Sequence, residues 1–88
     1  MRQHRTDSDY EIEALTKGVK VLEALKGTRW EPVNVSTIIE RTGYPRDLVD
    51  RSLKTLRMHG YATCHKGLWT AGRRLIAIAL SLSQKGEF

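Results

Sequence analysis

A chain of 88 residues, 40% hydrophobic and 28% charged, supports one small domain with a modest core and little room for an enclosed catalytic cleft. The single cysteine, Cys64, excludes an intramolecular disulfide framework, and the longest apolar-rich run, Leu75 to Leu82, falls far short of the ~20 residues of a membrane span. Fifteen Lys and Arg against ten Asp and Glu give a net charge of +5, unevenly spread: residues 1–40 hold six basic and seven acidic groups, residues 41–88 nine and three. The whole positive excess therefore sits in the second half, as expected of a surface that meets a polyanion, although solubility or an acidic protein partner would also account for it.

Residues 1–8 are polar and aperiodic and read as a flexible tail. They resemble no apolar signal segment, so a reducing, cytoplasmic setting is expected. A helix is predicted from Ser8 or Asp9, because Ser8 and Glu11 have the spacing of a capping box. Behind them Ile12, Leu15, Val19 and Leu22 form one apolar stripe, and Ala14, Gly18, Val21 and Leu25 form another beside it. Together they cover about half the circumference, a face wider than one packing partner requires. Gly27 is placed to end this helix, and Trp30 in the following loop is expected to fold back as a lid on the core.

Asn34 is a natural N-cap for a short helix with Val35, Ile38 and Ile39 inward, stopped by Gly43. Pro45 then suits the start of a third helix, running to Met58, with Val49, Ser52, Leu53 and Leu56 inward. Two helices joined by a tight glycine turn form a helix-turn-helix unit. After Gly60 the period changes: residues 61–64 and 68–70 read as two short strands around a turn at His65-Lys66-Gly67. Thr70 is placed to cap a last helix from Ala71 to about Ser83, whose Leu75, Ile76, Ile78, Ala79, Leu80 and Leu82 make it apolar nearly all round. The domain is thus expected over residues 9–83, with 84–88 as a second tail.

This order of elements is that of a winged helix-turn-helix: mainly α, with a three-helix core, a small β-hairpin wing and a C-terminal helix. The stretch from Ala14 to about Ala79 resembles the DNA-binding domain of IclR-type transcription regulators. Leu15-Thr16-Lys17-Gly18-Val19-Lys20-Val21-Leu22-Glu23-Ala24-Leu25 is similar to that family's first helix, and Ile38-Ile39-Glu40-Arg41-Thr42-Gly43-Tyr44-Pro45 to its turn, commonly Gly-Leu-Pro. Leu53-Lys54-Thr55-Leu56-Arg57-Met58-His59-Gly60-Tyr61 resembles the end of its recognition helix. Trp69-Thr70-Ala71-Gly72-Arg73-Arg74-Leu75 resembles the junction after the wing in winged-helix regulators at large. Two departures stand out. Where the family carries small hydroxyl residues after proline and one variable position, this chain has Asp47 and Leu48. Family members also continue into an effector-binding domain, so a chain ending at Phe88 implies a DNA-binding regulator, nucleoid-associated, without small-molecule sensing or a cofactor.

On a helical wheel with Val49 at the origin, Arg46, Asp47, Asp50, Arg51, Lys54 and Arg57 fall at roughly 60–200°, away from the inward residues. The early part of such a helix enters the major groove, which makes Arg46, Asp47, Asp50 and Arg51 the candidates for base edges. Arginine can bridge guanine and a carboxylate can accept from cytosine. Carboxylates repel phosphate, so two acids here argue for sequence selection over non-specific clamping; the plainer alternative is a solvated face with Asp47–Arg51 and Asp50–Lys54 pairs. Lys54, Arg57, Lys66, Arg73 and Arg74 are the candidate phosphate contacts, Lys66 from the wing tip.

The surplus apolar area points to a homodimer through Leu15, Val19, Leu22, Ile76, Ala79 and Leu80, which would present two recognition helices to an inverted repeat. A reading from another class is a winged-helix adaptor whose apolar last helix binds a different polypeptide. Metal binding is not expected, since the adjacent Cys64 and His65 point to opposite faces of a strand and His4 and His59 complete no ligand pair. No nucleophile, base and orienting group can be assembled either, so the chain does not read as an enzyme.

Overall fold

The computed structural model describes residues 7–25 and 31–84, and its elements follow the predicted order. They are α1 (Glu13–Glu23), α2 (Val35–Thr42), α3 (Arg46–Met58), the antiparallel strands β1 (Ala62–His65) and β2 (Leu68–Ala71), and α4 (Arg73–Gln84). The predicted stop at Gly27 and the Trp30 lid lie outside the described residues, as do most of the two tails.

The start of α1 differs from the prediction. Asp7–Tyr10 forms one 3-10 turn, and Ile12, in extended conformation, precedes the helix without a side-chain cap. Extending the helix back to Ser8 would add a turn with nothing apolar to bury: Tyr10 and Ile12 are 66% and 65% exposed. A helical turn that buries little apolar area is not sustained by a capping box alone. Of the two stripes on α1, the one through Val21 and Leu25 reaches the core, whereas Ile12, Leu15 and Val19 stay exposed.

The core is assembled where the end of α1 meets α2, α3 and the wing. Val21, Ala24, Leu25, Val33, Ile38, Val49, Leu53, Ala62 and Trp69 are buried, with Leu22, Val35, Ile39, Tyr44, Leu56 and Cys64 packed around them. Asn34 caps α2 as expected, its Oδ1 accepting the Thr37 amide at 2.8 Å. Every inward residue predicted for α3 is buried or half-buried.

The wing pairs Ala62 with Ala71, Thr63 with Thr70, Cys64 with Trp69 and His65 with Leu68. Its turn is the two-residue Lys66-Gly67, both with positive φ (53° and 79°), the backbone that matches the twist of a tight hairpin. Strand alternation sends Ala62, Cys64 and Trp69 toward the core and leaves Thr63, His65 and Leu68 exposed. Val33 docks on the far side of β2 through a reciprocal pair of hydrogen bonds with Trp69, at 2.9 and 2.7 Å. The hairpin thereby gains the third partner that two isolated strands lack.

Thr70 does not cap the last helix. It remains in β2, its hydroxyl 2.9 Å from that of Thr63, because the ladder continues through Ala71 opposite Ala62. Gly72 takes the capping position, and its carbonyl accepts the Ile76 amide at 3.2 Å. None of the described side chains of α4 is buried, so this helix leaves the domain with an apolar surface exposed. Among the described residues no helix is long and apolar enough to cross a membrane. The architecture is a winged helix-turn-helix.

Candidate nucleic-acid interface

The turn that aims α3 is built from three neighbouring residues. Gly43 adopts φ 75°, and its amide closes α2 onto the Ile39 carbonyl at 2.8 Å. The Thr42 hydroxyl donates to the Ile38 carbonyl at 2.8 Å and accepts the Tyr44 amide at 3.2 Å. Tyr44 packs on the core, and Pro45 supplies the extended residue before α3. Arg41 ties this unit to the first helix, its Nη1 donating to the Ala24 carbonyl at 2.8 Å.

With Val49 and Leu53 fully buried on one side of α3, Arg46, Asp47, Arg51, Lys54 and Arg57 are exposed on the other, and Asp50 is half-buried. Both intrahelical pairs form: Arg51 lies 3.3 Å from Asp47 and Lys54 lies 3.0 Å from Asp50. Exposed i,i+4 pairs contribute only about 0.3–0.5 kcal/mol, less than the ~1–3 kcal/mol of a good bidentate base contact. The pairs therefore hold the side chains in readiness without preventing exchange onto a ligand.

The ion pairs also sort the basic residues into two sets. Arg51 and Lys54 are locally neutralised, whereas among the described residues Arg46, Arg57, Lys66, Arg73 and Arg74 have no carboxylate partner. The neutralised set occupies the middle of the recognition helix. The uncompensated set lies around it, at both ends of α3, at the wing tip and at the start of α4. Uncompensated positive charge thus lies at the periphery of the face, and the central part is locally neutral.

Sequence reasoning missed three contacts. The Arg57 guanidinium carbon lies 5.5 Å from the centroid of the Trp69 ring, a cation–π contact joining the recognition helix to the wing. The Arg41 bond to Ala24 spans seventeen residues, and neither contact has a local signature. The third is the close approach of Gly72 to Gly60, where a Cβ on Gly72 would stand 2.3 Å from the Gly60 carbonyl oxygen. The Trp69-Thr70-Ala71-Gly72 motif held the glycine but not the reason for it.

Away from the core, Leu15 and Val19 of α1 are 61% and 43% exposed, and Ile76 and Leu80 of α4 are 46% and 58% exposed. Ala79 is half-buried, and Leu22 is half-buried against the core, which leaves Leu22 less area for a partner than expected.

The sequence profile of the IclR helix-turn-helix domain matches residues 14–64, from within α1 to within β1. The chain belongs to the IclR helix-turn-helix family. It is similar to Pseudomonas aeruginosa HmgR (25% identity, TM-score 0.69), with 80% of this chain covered and 29% of that one. An IclR family transcriptional regulator from Brucella abortus shares the fold at 24% identity and a TM-score of 0.72, covering 86% of this chain and 30% of that one. Another from Alicyclobacillus acidocaldarius does so at 20% identity and 0.71, covering 81% and 29%. The chain thus spans about three-tenths of the length of these structures. No curated protein matches it. The IclR-type domain is the kind carried by transcriptional regulators.

Proposed function

We propose that the protein is a sequence-specific regulator of transcription that binds double-stranded DNA as a homodimer. In this reading α3 lies in the major groove, with Arg46, Asp47, Asp50 and Arg51 against base edges. Lys54, Arg57, Lys66, Arg73 and Arg74 meet the phosphates, Lys66 from the wing. The observation that carries it is the charge distribution over α3 and the wing, with paired cations in the middle and uncompensated ones around them. A non-specific clamp would gain nothing from two carboxylates on its contact face, since each repels phosphate. They become useful only where a base edge offers a donor.

The dimer rests on apolar area. Leu15 and Val19 of α1, and Ile76, Ala79 and Leu80 of α4, with a smaller share from Leu22, leave a surface that favours coverage by a second copy. A two-fold arrangement would repeat the reading helix about one DNA turn, or a multiple of it, away.

Selection from a randomised duplex pool at about 150 mM salt tests these points together. The wild-type chain is expected to enrich an inverted repeat. Arg51→Ala should change the preferred bases, whereas Lys66→Ala should weaken all sequences alike and flatten the dependence of log K on log salt by ~1 unit. Unchanged base preference with Arg51→Ala would remove that residue from the reading set, and an enriched site without symmetry would count against the homodimer. Absence of any selective binding would favour the adaptor reading.

A further inference from the structure

Arg57, His59 and Arg74 line one open hollow of about 470 Å³ where the end of α3, the turn after it and the start of α4 meet. The backbone brings these three segments together. Gly60 has φ 85° and reverses the chain, and the Arg74 amide donates back to the Gly60 carbonyl at 3.1 Å. The Arg74 side chain lies over Gly60, its Cγ 3.0 Å from where a Cβ would stand. Arg57 is braced on the Trp69 ring. No acidic residue lines the hollow, and neither arginine has a carboxylate partner among the described residues.

The end of a helix ordinarily disfavours an anion because its last carbonyls carry partial negative charge. Here three of those carbonyls are already engaged: Thr55, Leu56 and Arg57 accept the amides of His59, Tyr61 and Gly60. The Gly60 and Tyr61 carbonyls accept those of Arg74 and Gly72. The side-chain donors around the hollow are two guanidinium groups, an imidazole N–H and the Tyr61 hydroxyl, a set that fits phosphate oxygens. The hollow sits about 16 Å along α3 from Arg46, beyond the ~12 Å width of a major groove, so a phosphate held there is separate from those near the first turn of α3.

We infer that this hollow is a phosphate-binding site made jointly by Arg57, His59 and Arg74. His59 has no part in the DNA contacts proposed above. The phosphate has two possible sources, the backbone of a bound duplex or a free phosphate group, and only the first rests on the DNA-binding reading.

The test has two arms on the full chain. In the first, inorganic phosphate is titrated at constant ionic strength while the Gly60 and Tyr61 amides and the Arg57 and Arg74 Nε–H signals are followed by NMR. Saturable shifts are expected, and they should be lost in the Arg74→Gln, His59→Gln double variant. In the second, the salt slope of duplex binding is measured, and each single substitution is expected to weaken binding, with Arg74→Gln flattening the slope by ~1 unit. Weakened duplex binding by both variants assigns the site to the DNA backbone. Phosphate shifts with unchanged duplex binding assign it to a free phosphate group. Absence of both effects, in variants whose melting curves match the wild type, overturns the site. If the wild-type chain binds no DNA, the reading above fails while the phosphate titration still judges the hollow.

Discussion

Gly72→Ala is expected to lower the stability of the domain by about 3 kcal/mol, the upper part of the range for an atom forced into a packed region. At roughly 4–8 °C per kcal/mol for a domain of this size, the melting midpoint falls by about 12–24 °C. The added Cβ would stand 2.3 Å from the Gly60 oxygen, 2.7 Å from the Ala62 nitrogen and 2.8 Å from the Gly60 carbonyl carbon. All three are backbone atoms, so no side-chain rotation relieves the contact. The strands must separate from the start of α4, which breaks the Gly72–Tyr61 and Arg74–Gly60 hydrogen bonds of 2.9 and 3.1 Å. An opposing gain from reduced chain freedom in the unfolded state is only about 0.4–1 kcal/mol, so the clash wins. Gly18 is the control, since a Cβ there meets nothing within 4 Å and Gly18→Ala in mid-helix should be stabilising. Thermal melts of the two variants check this, and a Gly72→Ala midpoint equal to wild type would refute the close approach.

The second large effect is expected at Leu53. Its side chain is fully buried on the inner side of α3, within the cluster formed by Val21, Ile38, Val49 and Trp69. Leu53→Ala should cost about 2–5 kcal/mol, the sum of lost burial and the cavity left behind. A small domain has only about 5–15 kcal/mol of stability, so the recognition helix loses much of its support. Leu80→Ala, at a residue of α4 that is 58% exposed, removes the same atoms and should change monomer stability by less than about 0.5 kcal/mol. Urea midpoints measured at low protein concentration separate the two variants. A specific duplex present at ~100 times its Kd should restore about 2.7 kcal/mol to Leu53→Ala, because it binds only the folded chain.

Local chemistry carried much of what could be read in advance. Asn34 and Gly43 bracket α2 because capping and positive φ depend on residue type within a few positions. The inward set of α3 follows from apolar period alone, and so does the set left outward, including the spacing of both ion pairs. The wing was legible as a change of period around Lys66-Gly67, with the first strand shifted by one residue, the second longer by one and the turn shorter by one. Two local signals lost to tertiary forces. The Ser8–Glu11 capping box had no core to extend α1 against, and Thr70 gave up its cap to complete the ladder with Thr63.

By itself the sequence determined the order of the elements, the inward side of α2 and α3, the basic bias of residues 41–88 and the resemblance to the IclR domain. These depend on periodicity, turn chemistry and residue type, which act over a few positions. Only the tertiary structure decided that Arg57 rests on Trp69, that Arg41 closes the end of α1, and that Gly72 has no room for a side chain. It also brought His59 beside two arginines. Those are meetings between segments up to seventeen residues apart, set by how helices and strands pack, and no spacing along the chain encodes them.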